Sequence, residues 1–167
     1  MSFFDLLESR NSIPSFQNKK LDLNTIEKIA SVAMRAASPG NPQSYQILIV
    51  TNNEYKEKLA SAVHGQSFIS NASVVFIFCP DMYVDSRDYG KRGQDLYSIQ
   101  DATIACTYAQ LAAHSYGLES VWVGSFDEGA VSRTLSLKSN LRPIAMLVVG
   151  FGVKDHQMST SQMIHNL

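Results

Sequence analysis

The sequence predicts an α+β or α/β sandwich built around one β-sheet, and three observations lead to this prediction. The chain begins with helical patterns and then mixes strands with helices. Ser73 to Cys79 is a continuous β-branched and aromatic run, which is typical of a strand covered on both faces. Asp95 to Tyr116 is the longest helical pattern and is apolar nearly all round, so this helix is central or also packs against another subunit.

Two helices are predicted before the sheet. Residues 2–9 carry a weak capping-box pattern at Ser2 and Asp5. The second helix is expected to start near Asp22 or Asn24 and to stop at Pro39-Gly40. Its apolar residues fall on one face at helical spacing: Ile26, Ile29, Ala30, Ala33 and Ala37.

The rest of the chain supplies the other elements. Strands are predicted at 46–50, 120–124 and 144–151, and helices at 53–64 and, capped by Asp127, through Leu135. Gly117 is expected to end the long helix, and Trp122 is expected in the core. Residues 81–93 are charged, rich in tyrosine and contain two glycines, which predicts a long mobile loop. We expect one domain over 1–167, with a polar tail at 154–167.

Composition excludes several classes of partner and site. The net charge of −1 gives no indication of nucleic acid or an anionic membrane as a partner. No apolar stretch is long enough to span a bilayer, and Asp5 and Glu8 argue against a signal peptide, so a cytoplasmic location is expected. Cys79 and Cys106 are predicted to be buried free thiols. The four histidines lack metal-ligand spacing, so no metal is expected.

Two polar clusters are candidates for binding an anionic, heteroaromatic cofactor. Arg10-Asn11-Ser12 offers a guanidinium fork and a hydroxyl, both suited to phosphate; these residues by themselves favour the alternative, a solvated turn with Ser12 bonded locally to the backbone. In the cluster at residues 38–43, the amides of Asn41 and Gln43 carry both donors and acceptors, as the edge of a heterocycle requires. An ordinary helix-to-strand loop is the alternative there.

A third cluster lies between a predicted strand end and a helix start. Backbone N–H groups in Gly124-Ser125-Phe126-Asp127 can face an anion or a ring edge. A helix capped by Asp127 is compatible with that role.

Taken in order, these motifs make the chain similar to the FMN-dependent nitroreductase family. Family members begin with a helix ending in Arg-x-Ser, and their Pro-Ser-x-x-Asn-x-Gln-Pro-Trp motif opens a strand. The match runs in order over about nine-tenths of the chain, and its stretches are Arg10 to Ser12, Ala37 to Tyr45, Asp101 to Leu118, Val121 to Asp127 and Leu141 to Phe151.

The resemblance implies a three-layer sandwich whose central, mostly antiparallel sheet is flanked by helices. It also implies an intertwined homodimer with two FMN sites at the interface. Arg10 and Ser12 would bind phosphate and ribityl. The 38–43 loop, partly from the other subunit, would meet the isoalloxazine and ribityl through Ser38, Asn41 and Gln43. Gly124 and Ser125 would lie at the reactive ring edge. The complete predicted cofactor-binding set is Arg10, Asn11, Ser12, Ser38, Pro39, Asn41, Gln43, Gly124, Ser125 and Lys154.

The function implied is that of an FMN-dependent NAD(P)H oxidoreductase. NADH or NADPH would reduce the flavin, and a quinone, nitroaromatic or similar small acceptor would reoxidise it in a ping-pong cycle, without a catalytic protein residue. Two features motivate an alternative, a non-catalytic FMN-binding or storage protein or a cofactor-less dimeric relative. Pro14 stands where the family has Arg or Lys, and Lys154 is the nearest counterpart of its C-terminal basic residues.

Overall fold

The computed structural model describes residues 2–38 and 43–153 and contains one four-stranded sheet. The strands are β1 (Tyr45–Val50), β2 (Val74–Pro80), β3 (Glu119–Val123) and β4 (Ala145–Gly150). Their order across the sheet is β1-β2-β4-β3, and all neighbouring pairs are antiparallel. The two central strands, β2 and β4, are buried along their whole length, as the apolar run at 73–79 predicted for β2.

Helices cover both faces of the sheet and complete three layers. On one face, α2 (Leu23–Ala33) and α6 (Ser98–Ser115) pack over Phe76, Phe78 and Leu147. On the other, α3 (Asn53–Ala62), α4 (Phe68–Asn71) and α7 (Glu128–Leu135) pack over Val75, Ile77 and Val148. Alternate residues of each strand therefore enter different cores. The predicted fold class, a largely antiparallel sheet flanked by helices, is confirmed.

Side-chain caps fix the helix starts where the sequence predicted them. The capping box of α1 (Phe3–Ser9) is formed, since Ser2 Oγ accepts from Asp5 N at 3.2 Å and Asp5 Oδ2 accepts from Ser2 N at 2.8 Å. Asp22 and Asp127 cap α2 and α7 by accepting backbone N–H groups at 2.8 Å. Gly117, with φ of +72°, follows the end of α6, in the left-handed region that favours glycine.

The prediction of a mobile loop at 81–93 is wrong, because this segment is helical. Helix α5 (Met82–Arg92) starts at Asp81, whose carboxylate accepts from Tyr83 N and from Asn140 Nδ2. Gly90, with φ of +58°, kinks the helix, and a π-helical turn at Gly93–Tyr97 leads into α6. An ion pair between Lys91 and Asp95 stabilises this turn. The charged residues of the segment therefore form the solvent-exposed surface of a helix, not a loop.

Both cysteines lie in the interior, as predicted. Cys79 of β2 and Cys106 of α6 are buried and free. Burial raises the pKa of each thiol to about 12, so both are held in the protonated, unreactive form at neutral pH. In the described part of the chain, no helix has the length and apolar character needed to cross a membrane.

Candidate functional site

The Arg10–Ser12 cluster lies along the outer edge of β3. Ser9 at the end of α1 shares a hydrogen bond with His114 Nε2 of α6 at 2.9 Å. Ser12 then forms a parallel bridge with Ser120, and Ile13 N donates to Ser120 O at 3.2 Å. The backbone from Arg10 onward is therefore held between the C-terminal end of α6 and the start of β3.

The side chains of this cluster differ in their engagement. Asn11 Nδ2 donates to Ser9 O at 3.1 Å and so serves the local turn. Arg10 and Ser12 are half-buried. Within residues 2–38 and 43–153, neither the Arg10 guanidinium nor the Ser12 hydroxyl has a hydrogen-bond or ion-pair partner. A half-buried guanidinium with its donors free is suited to bind an oxyanion.

The second cluster surrounds the connection from α2 to β1. Ser38 Oγ accepts from Gln43 N at 3.3 Å, so the last described residue after α2 contacts the first described residue before β1. The Gln43 side-chain amide donates to Met34 O, so part of its hydrogen-bonding capacity is already used. Gln43 has φ of +44°, an uncommon backbone conformation for a residue other than glycine, which marks this junction as conformationally constrained.

An open groove of about 510 Å³ lies beside this connection. It runs between Ser38 and the N-terminal half of α6, and its surface is mostly apolar although four of its seven lining residues are polar: Ala37, Ser38, Ile99, Gln100, Asp101, Thr103 and Ile104. Ligand pockets have this character and volumes of about 300–1,000 Å³. The groove is therefore large enough to take part of a ring system.

The third cluster adjoins Trp122, an aromatic side chain whose predicted position is wrong. Trp122 was predicted in the core, but it is 49% exposed because β3 is an edge strand. A Cβ at position 124 would lie less than 3.0 Å from the end of its indole ring, so any side chain larger than glycine there would force the ring to shift. Gly124 and Ser125 are both exposed, and together with Trp122 they form an open, partly aromatic edge.

Sheet register shows which clusters come together within one chain. Gln43 precedes β1 and Gly124 follows β3, so both lie at the same end of the sheet, on opposite edges about 14 Å apart at ~4.8 Å per strand. Ser12 pairs with Ser120 at the other end. On α6, His114 contacts Ser9 beside the first cluster, and Asp101 contacts Ser44 beside the second. These two positions are about 20 Å apart along the helix axis. One chain therefore keeps the phosphate-type and ring-type donors apart.

The sequence interpretation missed Asp101. This residue is fully buried on α6 and accepts a hydrogen bond from Ser44 Oγ at 3.3 Å, next to the connection that holds Ser38 and Gln43. Its carboxylate and burial together raise the pKa of Tyr45, with burial the larger cause. A single acidic residue within an apolar helix was the available signal. Asp101 ties α6 to the start of β1 and so positions the wall of the groove.

Three predicted residues, Pro39, Asn41 and Lys154, lie outside the described residues. Within the described ranges, no group of three or more His, Cys, Asp and Glu side chains is arranged to hold a metal ion.

Comparison with known proteins supports one family. The model of the Nitroreductase family matches residues 7–73 and 61–151. An Archaeoglobus fulgidus protein, described by its name as a candidate NADH dehydrogenase/NAD(P)H nitroreductase, is 27% identical over 150 residues, covering 87% of this chain and 83% of that protein. An FMN reductase (NADPH) from Bacillus subtilis is 24% identical over 155 residues, covering 85% of this chain and 62% of the relative.

A solved structure gives the same result. The crystal structure of a nitroreductase family protein from Clostridium difficile 630 superposes with a TM-score of 0.82 at 29% identity, covering 95% of this chain and 88% of that one. The family predicted from the ordered motifs is therefore confirmed.

We expect Asp101→Asn to lower the pKa of Tyr45 while leaving it above its ordinary value. The substitution removes the carboxylate that disfavours tyrosinate, but the larger cause, burial, stays. NMR titration of ¹³Cζ-labelled tyrosine would measure this pKa. Asp95→Asn, which removes a charge from the exposed Lys91 pair, is the control and should leave Tyr45 unchanged. An unaltered Tyr45 pKa in Asp101→Asn would contradict the coupling.

Proposed function

This chain belongs to the nitroreductase family, and on that premise we propose that it is an FMN-dependent oxidoreductase using NADH or NADPH. The names of the two curated relatives described above, which include NAD(P)H nitroreductase and FMN reductase (NADPH), support an NAD(P)H-dependent oxidoreductase. The observation that carries the proposal is the half-buried Arg10 guanidinium, whose donors are free in the described part of the chain beside the Ser12 hydroxyl.

The residues present fit FMN at both of its chemical ends. Arg10 and Ser12 would hold the phosphate, since a guanidinium and a hydroxyl supply strong donors to an oxyanion. Ser38 and the groove along α6 would receive the ribityl chain and the flat ring, and Gly124 with Ser125 would line the ring edge. Bound FMN would supply the hydride-transfer chemistry between the nicotinamide and a quinone, nitroaromatic or similar acceptor. The protein's part is to orient the reactants and to provide donors for negative charge on the ring.

We further propose that the site is completed between two copies of this chain. The phosphate-type and ring-type clusters lie at opposite ends of α6 in one chain, about 20 Å apart. The solvent-facing side of α6 exposes 39% of Ile104 and 40% of Tyr108, and α1 exposes Phe3, Phe4 and Leu7. A homodimer that buries these apolar side chains would bring one copy's Arg10 towards the other copy's groove.

A second candidate function is flavin binding without turnover, or a dimeric relative that has lost the cofactor. Pro14 favours it, because the half-buried segment from Arg10 to Phe16 then contains a single cationic side chain. One charge-assisted contact fewer would weaken phosphate binding by about 1.5–3 kcal/mol.

The visible spectrum of the purified chain distinguishes these functions. The proposal expects a yellow protein whose flavin bleaches under anaerobic conditions with NADH or NADPH and recovers its colour on addition of a quinone or nitroaromatic. Bound flavin that neither nicotinamide can reduce would favour the binding protein. A colourless protein that takes up no added FMN would contradict both flavin functions.

We expect Arg10→Ala to weaken FMN binding by about 10- to 100-fold, the loss expected for one charge-assisted hydrogen-bonding group. Quenching of flavin fluorescence during titration of the apoprotein measures the dissociation constant. Lys28→Ala, which removes one positive charge from the exposed face of α2, serves as the charge-matched control and should bind as the unmodified chain does. Equal affinities for all three proteins would remove Arg10 from the site.

We expect Tyr108→Glu to convert a dimer to a monomer, because it places a charge on the exposed apolar face of α6. Sedimentation velocity measures the change. Tyr55→Glu makes the same substitution at a tyrosine with similar exposure on α3, outside the proposed interface, and should leave the mass unchanged. A chain that is monomeric before any substitution would disprove the two-copy site.

A further inference from the structure

A pocket on the side of the molecule away from the groove is walled by three lysines. It has a volume of about 280 Å³ and lies between the Asn18–Leu23 segment, the start of α3 and the residues preceding β2. Its lining is Asn18, Lys19, Lys20, Leu21, Leu23, Thr51, Asn53, Lys56, Ala72 and Ser73. Among these described residues there are three positive side chains and no Asp or Glu.

Lys56 is the unusual member of this group. It is only 3% exposed, and its Nζ donates to Ala72 O at 2.7 Å. An ammonium has three N–H donors, and within the described ranges this is the one hydrogen bond that Lys56 makes, with no carboxylate in ion-pair reach. Burial lowers the pKa of Lys56, and no acidic neighbour offsets that effect. A buried charge normally has a countercharge, and the described part of the chain supplies none within ion-pair distance of Lys56.

The surroundings of Lys56 supply further donors and hold them in place. Lys19 and Lys20 are exposed at the pocket rim, and the Lys19 ammonium lies 4.1 Å from the centroid of the Phe151 ring. The Lys19 backbone is fixed, since Ser73 Oγ donates to its carbonyl at 2.6 Å. Asn53 begins α3, and both Thr51 and Asn18 add short polar side chains. The rim therefore carries two exposed ammonium groups, of which Lys19 lies on an anchored backbone.

This pocket is distinct from the three clusters described above. It adjoins Thr51 at the C-terminal end of β1, whereas Gln43 and Ser44 precede that strand, which is about 20 Å long. A row of paired residues crosses the sheet from Ser12 to the pocket: Ser12, Ser120, Val149 and Ser73. Since Ser73 lines the pocket, the pocket lies about three strand spacings, or ~14 Å, from Ser12.

We infer that this lysine pocket, formed by Lys19, Lys20 and Lys56, is a binding site for a phosphate-type oxyanion. A tetrahedral oxyanion accepts several hydrogen bonds at once, and it would give the Lys56 ammonium the countercharge that the pocket lining lacks. The pocket volume suits a single oxyanion, either as the free ion or as the phosphate of a small monoester. This inference does not depend on the proposed oxidoreductase function.

Calorimetric titration of inorganic phosphate into the full chain tests the site. The titration is made in the Arg10→Ala background and without FMN, so that phosphate binding at the Arg10–Ser12 cluster is weakened, and chloride at matched ionic strength is the reference. We expect saturable binding of one phosphate per chain. Lys19→Gln/Lys20→Gln should weaken this binding about tenfold or more, while Lys58→Gln, on the exposed face of the same helix as Lys56, should not change it.

Two further measurements complete the test, one with a second ligand and one with a Lys56 variant. Glycerol phosphate in place of phosphate separates the sources of the anion: tighter binding assigns the site to a phosphomonoester, and equal binding assigns it to the free oxyanion. Lys56→Met should abolish binding, and the double variant of exposed lysines keeps the test valid if Lys56→Met does not fold. Absence of saturable phosphate binding, or equal weakening by Lys58→Gln and the double variant, would overturn the inference.

Discussion

The close packing of α6 against the sheet is the contact on which the rest of the structure depends. Small side chains recur at helical spacing along its buried side, at Ala102, Ala105, Ala109 and Ala113, and bring the helix close to β2 and β4. Because these residues are small, little side-chain entropy is lost on packing, and the larger Phe76, Phe78 and Leu147 of the sheet fill the layer. Helix α2 then packs beside α6 on the same face.

The position of α6 also determines where the polar clusters can lie. Its N-terminal half forms one wall of the groove and carries Asp101, which holds the start of β1 through Ser44. Its C-terminal end carries His114, which holds the end of α1 and therefore the position of Arg10. A rigid helix thus separates two half-sites by its own length. Neither half-site resembles a complete binding site for a cofactor with a phosphate at one end and a ring at the other.

Much of this fold could be predicted because local signals and burial agree. The caps at Ser2, Asp22 and Asp127 use the same short-range hydrogen bonds in any context, and β2 is apolar because it is covered on both faces. The prediction at 81–93 failed because a solvated helix and a charged loop share one composition, and the Asp81–Asn140 contact that anchors the helix joins residues far apart in sequence. The prediction that Trp122 lies in the core failed because no local sequence pattern shows the strand order, which places β3 at an edge.

The site was less predictable than the fold because the role of each residue depends on its burial and on neighbours that are distant in sequence. Arg10 and Lys56 show the difference. Their residue types indicated phosphate chemistry for Arg10 and nothing for Lys56, whose neighbours 54 to 58 read as the polar face of a helix. Only burial distinguishes Lys56 from Lys58, which pairs with Glu54 at the surface of the same helix. A cation that is buried without a carboxylate in ion-pair reach depends on electrostatic stabilisation from outside its own helix. The guanidinium at the edge of β3 is half-buried and has no partner among the described residues, so in both places the proposed ligand or second chain would supply contacts that the described residues do not.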